Sequence, residues 1–139
     1  MELPLALLIM DLHLFKMRIE FDIKPCPKPR MTRADRWKKR PIVLKYWEFC
    51  KELEIQAYKH KYKPGDRVSL IFYIPMAKSW SKNKKELMLG KPHKAKPDID
   101  NLVKAFLDAL LDEDSYVYSI TAEKYWSNNG SIVVLTNEC

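Results

Sequence analysis

Apolar and polar positions alternate from Met17 to Lys24, with Met17, Ile19, Phe21 and Ile23 set against Arg18, Glu20, Asp22 and Lys24. A period of two puts the apolar set on one face, so the pattern predicts a half-buried strand. Pro25, Pro27 and Pro29 follow and cannot donate to a ladder, which predicts an extended arm running to Pro41. From Pro41 to His60 the spacing becomes helical through Val43, Leu44, Trp47, Cys50, Leu53, Ile55 and Tyr58, with the proline suited to a first turn. A turn at Lys63–Asp66 leads into a second strand, where Val68, Leu70, Phe72 and Ile74 alternate with Arg67, Ser69, Ile71 and Tyr73 as far as Pro75. Its alternate set is itself largely apolar, so both faces are expected to be buried. Ala77 to Lys96 is lysine-rich and reads as a loop, or as one holding a short helix around Ser81 to Met88. Pro97 opens a strong helix that ends near Asp112, with Ile99, Leu102, Val103, Phe106, Leu107, Leu110 and Leu111 as a wide apolar stripe. Val117–Trp126 and Ser131–Thr136, joined through Ser127, Asn128, Asn129 and Gly130, predict a terminal β-hairpin. The expected fold is α+β, a mixed sheet of about four strands with two main helices.

Length and composition narrow this further. The chain of 139 residues, 47% hydrophobic and 31% charged, is the size of one domain with a real core and excludes a disordered protein. Residues 17 to 139 are taken as that domain, and residues 1 to 16 as an N-terminal extension with Met17 as an alternative start. The apolar run from Leu3 to Met10 lacks a basic n-region and a cleavage site and is far below the roughly 20 residues of a membrane span, so neither signal nor anchor is expected. Cys26, Cys50 and Cys139 form no CxxC pair, which fits a reducing, cytoplasmic setting better than a disulfide framework or a zinc knuckle. The net charge of +7 is a cancellation. Residues 24 to 45 hold nine cations against Asp35 alone, net +8, and residues 77 to 96 hold seven lysines against Glu86 alone, net +6, which leaves the rest of the chain at −7. An acidic body carrying two basic arms suggests a polyanionic partner.

Candidate chemistry concentrates between Lys96 and Val117, in KPDIDNLVKAFLDALLDEDSYV. Asp98 and Asp100 bracket the start of the long helix. Two residues apart on a formed helix they would diverge by about 200°, so they converge only if Asp98 lies at the cap or before it. Capping and the helix dipole account for this pair without any function. The helix also carries Asp100, Lys104 and Asp108 at i, i+4 and i+8 with Asn101 beside them. As surface pairs these contribute only about 0.2–0.5 kcal/mol each; the functional alternative aims Lys104 at a phosphate. Asp112, Glu113 and Asp114 then add acids whose approach to Asp98 and Asp100 would be repulsive without a cation. Oxygen-only ligands with open positions suit Mg²⁺ or Mn²⁺. An EF-hand loop is excluded, because Val103 and Ala109 stand where its glycine and final glutamate belong.

Several other residues have a plain reading beside a functional one. Trp37 and Trp80, inside the basic arms, are expected to pack against the body, with stacking on an unpaired base as the alternative. Trp47 and Trp126 are expected in the core. His13, His60 and His93 have no mutual ligand spacing. Glu123 and Lys124 read as surface charges, although a strand leading out of Asp114 could carry one toward the site.

The segment KPDIDNLVKAFLDAL, the following DEDSYV and, more loosely, KPRMTR at Lys28–Arg33 resemble the RusA family of Holliday junction resolvases, over most of the chain from Met17 on. The resemblance implies that Asp98, Asp100 and Asp114 bind a metal ion, Mg²⁺ with Mn²⁺ as a substitute, and that Lys104 is catalytic. The connection from the helix to the acidic pair is shorter here than usual in the family and Glu113 replaces a common aspartate, so Asp112 stands as a rival to Asp114. The resemblance further implies metal-assisted phosphodiester hydrolysis leaving 5′-phosphate ends, a homodimer acting on a four-way DNA junction, no membrane partner and a bacterial, phage or prophage source. The arm residues Lys28, Arg30, Arg33, Arg36, Lys38, Lys39, Arg40, Lys84, Lys85, Lys94 and Lys96 would then contact DNA. The competing class is a non-catalytic nucleic-acid-binding protein, for which the arms suffice. A PD-(D/E)xK nuclease is disfavoured because Glu123-Lys124 has the wrong spacing.

Overall fold

The computed structural model describes residues 17–37 and 39–137. In chain order these form β1 (Met17–Phe21), a short 3-10 turn (Arg33–Arg36), α1 (Pro41–Lys59), β2 (Arg67–Pro75), α2 (Lys82–Met88), α3 (Ile99–Leu110), β3 (Ser119–Ser127) and β4 (Ser131–Thr136). The extension expected at residues 1–16 lies outside the described residues.

The α+β fold is the expected one, and the described strands form a mixed sheet in the order β1-β4-β2-β3. β4 runs antiparallel to both β1 and β2, and β3 runs parallel to β2. The expected terminal hairpin is therefore not formed. β4 inserts between β1 and β2, and the turn from β3 passes over the end of β2 to reach it. Burial explains the choice: residues 131–135 are buried, as a strand with neighbours on both sides must be, whereas β3 has its charged and half-exposed residues at the sheet edge. The turn is tied by Ser127, whose Oγ donates to the Asn129 carbonyl at 2.7 Å and accepts from its N–H at 3.2 Å. Gly130 is needed there, because a Cβ would fall 2.7 Å from the Lys24 Cα.

α1 and α3 lie on one face of the sheet. Phe49, Leu53 and Ala57 of α1 and Leu102, Ala105, Phe106 and Ala109 of α3 meet Phe21, Val68, Leu70, Phe72, Ile132 and Val134. Full burial of residues such as Leu102 and Phe106 contributes about 1.5–3 kcal/mol each. A smaller cluster of Ile71, Tyr73, Val133 and Leu135, with Tyr125 against it, occupies the opposite face, so β2 is buried on both sides as its composition implies. Among the described residues the helices number three, because the lysine-rich arm does contain a short one: the Ser81 Oγ accepts from the Lys84 N–H at 3.1 Å and starts α2. Trp47, expected in the core, is 45% exposed. It belongs to a second stripe of α1, with Leu44, Ile55 and Tyr58, that faces away from the sheet.

Candidate active site

α3 begins where Asp98 takes the N-cap position with extended dihedrals (φ −68°, ψ 143°), yet its side chain makes no capping hydrogen bond. Its carbonyl accepts from the Leu102 N–H at 3.2 Å, so the helix starts on backbone alone. The carboxylate is exposed and unused by the cap, which removes the plain explanation for this residue. From there the apolar stripe turns Leu102, Ala105, Phe106 and Ala109 inward. That leaves Asp100 and Lys104, one turn apart, on the exposed side.

Between α3 and β3 lies an open cleft of about 400 Å³ lined by Ile99, Asp100, Val103, Lys104 and Leu107 from α3, Asp114 from the following loop, and Ile120 and Ala122 from β3. Three of the four catalytic residues anticipated from sequence thus share one cleft with mostly apolar walls. Asp98 sits at the head of α3 and does not line it. Asp112 does not line it either, so of the two rivals it is Asp114 that the loop delivers beside Asp100. The loop is shaped by its neighbours. Glu113 accepts from the Ser115 N–H at 2.9 Å, a bond that holds its carboxyl below the usual range, and the Asp114 carbonyl accepts from Val117 N–H at 3.0 Å. Tyr116 donates its hydroxyl to the Pro64 carbonyl at 2.8 Å and anchors the loop to the turn before β2.

Among the described residues no three His, Cys, Asp or Glu side chains gather into a metal-binding group. The set of Asp98, Asp100 and Asp114 is therefore not a preassembled three-carboxylate cage. Asp100 and Asp114 in one open cleft remain a donor set that suits Mg²⁺, which takes one or two carboxylates and fills its shell with waters and substrate phosphate oxygens.

The first basic arm is more organised than its prolines suggest. Arg40 grips Asp35 with two bonds, Nε to Oδ1 at 2.7 Å and Nη2 to Oδ2 at 2.8 Å, and also donates to the Arg30 carbonyl at 3.0 Å. The guanidinium, helped by the Thr32 N–H, pulls the Asp35 carboxyl down to about 2. Lys28 pairs with Asp108 at 2.5 Å and its N–H reaches the Asn101 carbonyl at 3.3 Å, which ties the arm to α3. Lys28 and Arg40, both anticipated as DNA contacts, are thus engaged within the fold, and Asp108 pairs with the arm and not with Lys104. Arg30, Arg33, Lys39, Lys84, Lys94 and Lys96 are exposed, and Lys85 is half-buried. The Lys38 residue and the Arg36 side chain lie outside what is described.

In the second arm Trp80 packs on Trp126, ring centroids 4.7 Å apart, and Lys84 lies 4.1 Å over the Trp80 ring, so packing is the reading that holds. Trp37 is 69% exposed, against the packed position expected of it. His93 is buried against Trp126 at 4.1 Å with no partner for its Nδ1 among the described residues, and burial lowers its pKa. Lys124 is no surface charge: its ammonium donates to the carbonyls of Ala95 at 2.5 Å and Pro97 at 2.6 Å. The alternation of β3 holds the signal that could have found it, because Ile120, Ala122 and Lys124 share a face.

A family model described as endodeoxyribonuclease RusA matches residues 20–136, nearly the whole described chain. The chain belongs to the RusA family. Family members are DNA endonucleases that resolve Holliday junctions, and the matched span contains Asp98, Asp100, Lys104 and Asp114 together with both basic arms. No curated protein matches the chain. No helix among the described residues is long and apolar enough to cross a membrane.

Proposed function

We propose that this RusA-family chain nicks four-way DNA junctions by divalent-metal-dependent hydrolysis, with Asp100, Asp114 and Lys104 at the reacting phosphate and Asp98 at the rim. The observation that carries the proposal is the meeting of Asp100, Lys104 and Asp114 in one cleft open to solvent. Two carboxylates alone would repel a phosphodiester; a cation between them and a lysine one turn away reverse the sign of the field.

Asp100 and Asp114 would hold the ion, with Mg²⁺ preferred and Mn²⁺ as a substitute. When bound, such an ion supplies neutralising charge at the phosphate and acidifies a water. Lys104 places its ammonium against the nonbridging oxygens, where negative charge grows toward the transition state, or assists the departing 3′ oxygen, leaving 5′-phosphate ends. The exposed arm cations, Arg30, Arg33, Lys39, Lys84, Lys94 and Lys96, hold the junction backbones on either side.

A junction needs two symmetric cuts, which a C₂ dimer provides. What supports a dimer here is the outward stripe of α1. Leu44 and Trp47 lie seven and four residues before Lys51, and Ile55 and Tyr58 lie four and seven after it, at exposures of 36%, 45%, 43% and 86%. Two such helices crossing antiparallel at Lys51 set Leu44 against Tyr58 and Trp47 against Ile55 in both directions, the self-complementarity an isologous contact requires.

The test is incubation of the protein with a four-way junction and with a matched linear duplex, each with Mg²⁺ or EDTA. Paired nicks confined to the junction and abolished by EDTA are expected. Binding of the junction without nicks under any condition would leave a non-catalytic binding protein.

A further inference from the structure

The proposed site leaves one question open in the fold itself: what fixes Asp98. It has no capping hydrogen bond, and Pro97 before it has no N–H to donate. The chain leading to it, Gly90 to Pro97, is laced to the outer end of β3. Gly90 N–H donates to the Trp126 carbonyl, Trp126 N–H to Lys91 and His93 N–H to Lys124, at 2.9, 2.9 and 3.0 Å, and Pro92 forms a bridge with Tyr125. Among the described residues that ladder runs as far as His93. Beyond it, the tie is a side chain.

We propose that Lys124 is a positioning residue, whose ammonium spans the carbonyls of Ala95 and Pro97 and thereby fixes the turn that delivers Asp98 to the head of α3. This inference rests on the nuclease reading above for its consequence, though not for its geometry.

Three observations carry it. Lys124 is next in line on the face of β3 that walls the cleft: Ile120, Ala122 and Lys124 pair in register with Val68, Leu70 and Phe72, on the side where α3 packs. Its ammonium is committed to two carbonyls at 2.5 and 2.6 Å, in contrast to the exposed arm lysines, so it bridges strand and turn instead of reaching for DNA. The Asp98 carboxylate also acts on it electrostatically, opposing the downward pull of burial on its pKa. One lysine thus holds the backbone on the N-terminal side of Asp98. A carboxylate displaced by an ångström at a phosphoryl site can cost about 10²-fold in rate, which is the scale of effect such a tie protects.

The experiment compares the wild type with Lys124→Met, which keeps the aliphatic stem and removes the donors, and with Lys124→Arg, which can again donate to two carbonyls. Each is read in three ways: amide ¹H–¹⁵N shifts of the metal-free protein, junction affinity in EDTA, and nicking rate at saturating protein with Mg²⁺. In Lys124→Met the amides of Ala95, Lys96, Asp98 and Ile99 should shift, the affinity stay within about 2-fold and the rate fall roughly 10–100-fold; in Lys124→Arg shifts and rate should return toward wild type. Unmoved amides at these positions, an unchanged rate, or a loss of affinity that accounts for the loss of rate would overturn the proposal, the last by making Lys124 a phosphate contact. Should Lys124→Met not fold, Lys124→Arg decides, because displaced amides at the same positions with wild-type nicking would also overturn it. A wild type that does not nick would sink the nuclease reading, while the amide shifts still decide whether Lys124 sets the turn.

Discussion

At Asp98 the N-cap position, the dipole and the residue type all favour a side-chain cap, and none forms. An aspartate withheld from the interaction most available to it is better explained by an outside partner than by helix stability. Asp112 and Asp114 differ in the same way: both are exposed, but only Asp114 lines the cleft. Asp114→Asn should therefore lower junction nicking by about 10²-fold or more, and Asp112→Asn by no more than a few-fold, as single-turnover gels would show. His93 makes a separate prediction about stability. Burial, followed by the charge of Lys124, holds its pKa below the ordinary value of 6.5. The unfolded chain therefore binds the proton more readily, and stability is full above that value and falls as pH drops through 6.5 toward the folded-state pKa. Denaturant midpoints measured between pH 8 and 5 should decline with acid, and His93→Phe should flatten the part of the slope below pH 6.5.

At the scale of elements, each strand or helix was placed by how far its residues had to look for partners. α3 was legible because its apolar spacing and its polar stripe are both local, and both survive packing: Leu102 and Phe106 are buried while Asp100 and Lys104 are exposed. The pairing of β3 and β4 was not legible from the turn between them. Ser127–Gly130 suits a hairpin, but the run Ile132-Val133-Val134-Leu135 is apolar on both faces and demands two neighbours, which only a central position supplies. That continuous run was the available signal, and it outweighs the turn. The substitution Gly130→Ala tests the crossing: with the Lys24 backbone 2.7 Å from the new Cβ, the turn or β1's exit must shift. A loss of about 1–3 kcal/mol in chemical denaturation is expected. For Lys124 the sequence offered a surface charge or a group carried toward the site, but not its partners, because Ala95 and Pro97 lie 29 and 27 residues away with α3 in between.

At the scale of the whole molecule, the charge segregation acquires a geometry. The arms do not hang free, because Asp35–Arg40 buckles the first, Lys28–Asp108 fastens it to α3, and Trp80 on Trp126 fastens the second to β3. Arg30, Arg33, Lys39, Lys94 and Lys96 are not spent on these ties and stay exposed, which is what contact with a polyanion requires. The outward stripe of α1 belongs to the same scale: Trp47→Glu should convert a dimer to a monomer in sedimentation equilibrium while leaving the thermal midpoint of the protomer within a few degrees, and a wild type that sediments as a monomer would remove the interface. The central claim is that the cleft between α3 and β3 is the hydrolytic centre. Its most direct test is the nicking rate of a four-way junction in Mg²⁺ with all DNA bound, for wild type, Asp100→Asn and Lys104→Ala. Both variants should nick at least about 10²-fold more slowly with junction affinity in EDTA retained; either variant nicking at the wild-type rate would place the hydrolytic centre elsewhere.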